Sequence, residues 1–168
     1  MRAIVLLDTS IYLNILNVPG YNISTQEVFD EFQKRINAKD TFLLPFATIL
    51  ETGNHISRLP DGHSRRVYAS KMVKDVEGAL KGIAPYRPTS FPDREEFLSW
   101  LKAFPDHAMR TKKMKKDKNE GGSLSDFTII REWDKICKQH SMSRVSIWSL
   151  DEDLKGYDRA IRFIRAQY

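Results

Sequence analysis

The chain has 168 residues and 41% apolar content, enough for one continuous core and short for two, so a single domain over residues 1–168 is expected. Its one cysteine excludes an internal disulfide framework and a thiolate metal cluster, and no apolar run nears the roughly 18 to 20 residues of a membrane span. The net charge of +5 is unevenly placed: residues 110–118 (RTKKMKKDK) hold six basic residues and one acid, so the remainder sums to zero.

Residues 3–7 (AIVLL) form an apolar run of strand length, and Thr9 and Ser10 suit a turn into a short helix. Ser24 and Glu27 make an S-x-x-E box, which predicts a capped helix of about 13 residues carrying Val28, Phe29, Phe32 and Ile36. FLLP is a second short strand ended by Pro45. Residues 47–59 read as a helix bearing Glu51, with Ile49, Leu50 and Ile56 as its apolar residues, and 64–80 as another. APYRPTSFP holds at most an edge strand, because proline cannot donate to a ladder. Asp93 and Glu96 open a helix with Phe97, Trp100, Leu101 and Phe104 on one face. Residues 104–122 lack apolar periodicity and are expected as a long loop, basic over about 105–122.

Ser123 opens the next helix, which bears Asp126 and sets Phe127, Ile130, Trp133 and Ile136 on one side. Cys137 in this helix reads as a packed thiol. RVSIWS is a strand whose Val145 and Ile147 share a face. DRAIRFIRAQY fits a terminal helix, so no strand is predicted after Asp151. Trp100 and Trp133 are expected in the core, while Trp148 is open between packing and stacking on a base.

Strands alternating with helices predict an α/β fold: a three-layer α/β/α sandwich around a mainly parallel sheet, with its ligand crevice at the carboxyl ends of the strands. Four segments each set an acid at an end of a regular element: IVLLDTS (Asp8), FATILETGN (Glu51), GGSLSDFTII (Asp126) and IWSLDEDL (Asp151). Each acid has a local explanation. Asp8 caps a helix, Glu51 closes a T-x-x-E box with Thr48, Asp126 does the same with Ser123, and Asp151 is a turn residue. Among 22 acidic residues, one at a strand end means little. Caps, however, need only local partners and have no reason to fall in this joint order.

The four segments, in this order, resemble the PIN-domain ribonucleases over nearly the whole chain. Asp8, Thr9 and Ser10 match the aspartate and small hydroxylated residues that end that family's first strand. Glu51 matches its glutamate in the helix after the second strand. Asp126 matches the aspartate opening a later helix, and Ser149, Leu150 and Asp151 match a final T/S-x-D. The resemblance implies a PIN-like fold and a catalytic, metal-binding quartet of Asp8, Glu51, Asp126 and Asp151. Asp8 and Asp126 are the direct ligands in this reading, and Glu51 and Asp151 complete the shell directly or through water. Asp153 is an alternative or assistant to Asp151. Thr9, Ser149, Asn14 and Asn54 are expected hydrogen-bond partners of the ligating carboxylates. His55, one turn beyond Glu51, is read as a supporting or surface residue rather than a phosphate contact.

Carboxylates about 4 Å apart repel by roughly 1 to 4 kcal/mol, so such a cluster needs a cation. Oxygen-only ligation suits Mg²⁺ or Mn²⁺ rather than Zn²⁺. The implied activity is metal-dependent endoribonuclease hydrolysis in the cytoplasm, as the toxin of a toxin–antitoxin pair. Its partners would be an RNA substrate, an antitoxin protein and a second copy in a homodimer, with no membrane. RNA over DNA follows from the resemblance alone. Arg110, Lys112, Lys113, Lys115, Lys116 and Lys118 are nucleic-acid-binding candidates through counterion release, against the alternative of a solvated loop. A catalytically inactive module binding RNA or a partner is the competing account. A phosphotransfer enzyme with Asp8 as nucleophile is a third, although the usual second aspartate is replaced by Ser10.

Overall fold

The computed structural model describes residues 2–109 and 121–160. They run as β1 (Ala3–Leu7), α1 (Thr9–Ile15), α2 (Thr25–Asn37), β2 (Thr41–Leu44), α3 (Phe46–Ser57) and α4 (Gly62–Leu80). Then come β3 (Tyr86–Pro88), α5 (Arg94–Ala108), α6 (Leu124–Gln139), β4 (Arg144–Trp148), α7 (Glu152–Lys155) and β5 (Asp158–Arg159).

The strands form one sheet in the order β3-β2-β1-β4-β5. β1 lies at its centre, parallel to β2 and β4, with Leu6 paired to Leu43 and Ile147. β3 is parallel to β2 and occupies an edge, as its prolines require. β1 is apolar throughout because helices cover both faces of the sheet. Side chains alternate: Val5, Leu7, Phe42 and Leu44 pack with Ile11, Tyr12, Val28, Phe32, Ile56 and Ala79 on one side. Leu6, Val145 and Ile147 pack with Ala47, Ile129, Cys137 and Leu154 on the other. The expected α/β/α layering and mainly parallel sheet are therefore present.

Three element expectations are corrected. Ser24 precedes α2 but its side chain makes no cap bond: its backbone, at φ −103° and ψ 21°, is outside the extended conformation of a capping residue, and its N–H donates to Asn14 Oδ1, tying α2 to α1. Of the apolar residues of α2, Val28 and Phe32 are buried while Phe29 and Ile36 are exposed. The expected loop from 104 is helical to Ala108: Pro105 removes one donor, but its carbonyl still accepts from Met109 N (3.1 Å) and Phe104 packs on Phe127. After Asp151, residues 158–159 are a strand and no helix. β5 pairs antiparallel with β4, Arg144 and Asp158 form an ion pair across the ladder, and Arg159 donates to the carbonyls of Cys137, His140 and Ser143. The apolar residues that suggested a terminal helix, Ile161, Phe163 and Ile164, lie outside the described residues.

Cys137 is buried, which raises its thiol pKa, as a packed sulfur should be. Trp100 is in the interior, and Trp133 is half-buried with its indole N–H donating to Val145 O at 3.1 Å. Trp148 is packed as well: it lies against Phe32 with the Arg35 guanidinium 5.1 Å over its ring. Among the described residues, no helix is long and apolar enough to cross a membrane.

Candidate functional site

β1 and β4 are neighbours and parallel, so the residues that follow them, Asp8 and Ser149 to Asp151, emerge side by side at the carboxyl edge of the sheet. The ladder extends one step further through Asp8 N–H, which donates to Trp148 O at 3.0 Å. Serine hydroxyls then tie the two strand ends together. Asp8 Oδ2 accepts from Ser10 Oγ (2.7 Å), Ser149 Oγ (2.7 Å) and Ser10 N (3.3 Å). Those same hydroxyls accept from the next loop, Ser10 Oγ from Leu150 N (3.0 Å) and Ser149 Oγ from Asp151 N (2.9 Å). Asp8 is thus both the N-cap of α1 and a fixed, buried acid.

Glu51 reaches the same place from α3. The T-x-x-E explanation of this residue fails, because Thr48 lies inside the helix and not at its start. Its hydroxyl instead donates to Leu7 O at 2.8 Å, pinning α3 to the strand end just before Asp8. Glu51 Oε2 accepts from Thr9 Oγ1 at 3.0 Å, and His55 Nε2 stands 3.8 Å from its Oε1. Asp126 comes from the first turn of α6, where Ser123 Oγ caps its N–H at 3.0 Å. Asp151 caps α7, accepting from Asp153 N at 3.1 Å. The local cap readings of Asp8, Asp126 and Asp151 therefore coexist with convergence.

All four acids line one cavity of about 440 Å³. Thr9, Ser10 and His55 lie on its wall, whereas Asp153 and Asn54 are not among the lining residues. Asn14 lines it too, and its amide ties two helices together. Its Nδ2 donates to Ser10 O and its Oδ1 accepts from Ser24 N and Thr25 Oγ1, so it is a staple between α1 and α2. Sequence reasoning missed Leu13, Tyr21, Ile23 and Ser24, which also line the cavity. Tyr21 meets the His55 ring edge-on at 4.7 Å, a tertiary contact with no signature in its local sequence. The basic candidates Arg110, Lys112, Lys113, Lys115, Lys116 and Lys118 lie outside the described residues.

Charge accumulates in the cleft. Burial raises the Asp8 pKa, outweighing the bonds from Ser10 and Ser149 that favour its anion. Glu51 is also raised, first by burial and then by the charges of Asp126 and Asp8, against the Thr9 hydrogen bond. This all-oxygen, electron-rich donor set suits a hard divalent cation. Among the described residues, no group of three His, Cys, Asp or Glu side chains is already gathered around a common ion position.

No protein-family model and no curated protein matches the chain. Among solved structures, it is similar to the crystal structure of FitAcB from Neisseria gonorrhoeae, with a TM-score of 0.48 and 18% identity over 88% of this chain and 87% of that one. A likeness at this level carries no argument about activity. What the coordinates define is an α/β protein with four sequence-distant acids at the carboxyl edge of a mostly parallel sheet.

Proposed function

We propose that this protein is a divalent-metal-dependent endoribonuclease of the PIN type, hydrolysing RNA phosphodiester bonds. The observation that carries the reading is the meeting of Asp8, Glu51, Asp126 and Asp151 at one cleft, from four separate elements. Asp8 and Asp126 would hold Mg²⁺ or Mn²⁺, with Glu51 and Asp151 completing the shell directly or through water. A cation held there would supply the activation of a water for in-line attack and a counter-charge for the departing oxygen. The chain's own groups position the rest. Ser10 and Ser149 hold the Asp8 carboxylate in one orientation, Thr9 fixes one Glu51 oxygen, and the other Glu51 oxygen faces His55. Glu51, with one oxygen fixed by Thr9, would help orient the attacking water.

The test is cleavage of a panel of structured RNAs in Mg²⁺ or Mn²⁺ by wild type, Asp8→Asn and Asp126→Asn. The expected outcome is wild-type cleavage that falls by at least about a hundredfold in either variant, with circular dichroism unchanged. One observation favours the competing account of an RNA- or partner-binding module that does not cut: the cleft acids are not gathered three to an ion. Wild type that binds RNA yet cleaves nothing with any divalent cation would establish that account. By the same sequence resemblance, an antitoxin partner, a homodimer and a cytoplasmic toxin role are part of the proposal.

A further inference from the structure

Glu132 lies in α6, about two turns beyond Asp126, and is not among the residues that line the acidic cleft. It is only 3% exposed, and neither carboxylate oxygen has a hydrogen-bond partner. The Thr89 hydroxyl and the Phe46 N–H lie near enough to favour its anion, but neither makes a well-formed bond, and Thr89 Oγ1 already accepts from Phe46 N at 3.1 Å. The Lys135 charge also favours its anion, but that ammonium makes its ion pair with Glu96 Oε2, at 2.8 Å, and not with Glu132. A buried carboxylate in this condition demands a partner.

Glu132 lines a cavity of about 210 Å³ between β3, α5 and α6. Its walls are apolar over most of their area, with Leu43, Pro88, Trp100 and Ile136, while Arg87 and Lys135 also line it, and no lining residue is shared with the acidic cleft. The space is smaller than the roughly 300 to 1,000 Å³ of drug-sized ligand sites, so it suits a single side chain or a small amine. An apolar sleeve, an indole and a carboxylate with open lone pairs together select a guest with an alkyl stem and a cationic, hydrogen-bond-donating head.

We infer that this cavity is a second binding site, which takes an alkylammonium group and meets its charge with Glu132. The inference does not depend on nuclease activity, and loss of either leaves the other standing. The alkylammonium head occurs both on free amines and on lysine side chains, and two probes separate these sources: n-butylamine, and Nα-acetyl-lysine methylamide, which carries the same head on a peptide backbone.

The experiment follows the Trp100 indole N–H resonance, assigned with Trp100→Phe, and the thermal midpoint of the full chain at pH 8. A saturable resonance shift and a raised midpoint with either cation, absent with n-butanol, are expected. Binding by Glu132→Gln should be about tenfold weaker or worse, because the isostere keeps the shape and loses the charge. A response to n-butylamine alone assigns the site to free amines, and a response to the lysine derivative assigns it to a protein side chain. The inference is overturned if neither cation gives a saturable shift, if n-butanol matches them, or if Glu132→Gln binds as wild type does. Should that variant fail to fold, the comparison of cations with n-butanol in wild type still decides.

Discussion

Asp8 and Glu132 show how the same residue chemistry has different consequences when its partners differ. Asp8 is buried yet accepts from two serine hydroxyls and a backbone N–H, while Glu132 is buried with neither oxygen bonded. Burial pushes the Glu132 carboxyl up from 4.5 to about 7. Between those values the folded chain holds a proton that the unfolded chain has released, so stability is greatest below pH 4.5 and is lost as pH rises through about 7. At about 1.4 kcal/mol per pH unit, this one group should remove roughly 3 kcal/mol across the window. Urea unfolding from pH 5 to pH 8 should therefore show a shallower decline in Glu132→Gln than in wild type. Equal declines would mean that Glu132 is solvated or paired. Asp8 was legible only through the joint order of the four acidic segments, because taken alone an acid between a strand and a helix reads as a cap, which it also is. Glu132 was not: nothing local distinguishes it from its charged neighbours Arg131 and Asp134, and only the packing of α5 and the β3 segment against α6 buries it.

At the level of elements, the sequence signals succeeded where one segment sets its own structure and failed where a neighbour competes. Asp93 caps α5 through Glu96 N at 2.8 Å and Ser123 caps α6, as their local patterns predict. Ser24 and Thr48 carry equally good cap patterns, but the Ser24 N–H is taken by Asn14 and the Thr48 hydroxyl by Leu7 O. β5 has only two residues, too short for a period, and is held by arginine side chains reaching across from it and to it. The Asn14 staple gives a prediction at this scale. Asn14→Ala leaves Ser10 O, Ser24 N and Thr25 Oγ1 without that partner, and should cost about 1 to 3 kcal/mol in denaturant unfolding. A midpoint unchanged from wild type would show that α1 and α2 are joined by apolar packing alone.

For the whole molecule, strand order is what turns four scattered acids into a site. The alternation of strands and helices announces a layered α/β fold, but nothing local states that β1 sits between β2 and β4. That order puts the ends of β1 and β4 side by side and leaves α3 and α6 to bring Glu51 and Asp126 to the same edge. The cleft concentrates negative charge at one end of a chain whose net charge is +5, so its affinity for a divalent cation is the property on which the proposed chemistry rests. The most direct measurement is a Mn²⁺ titration followed by paramagnetic loss of backbone amide NMR signals, in wild type and Asp8→Asn. The account predicts that signals beside Asp8, Glu51, Asp126 and Asp151 disappear first and together, and that the variant abolishes this ordered loss. Broadening spread evenly over the surface, centred elsewhere, or unchanged by Asp8→Asn would contradict it.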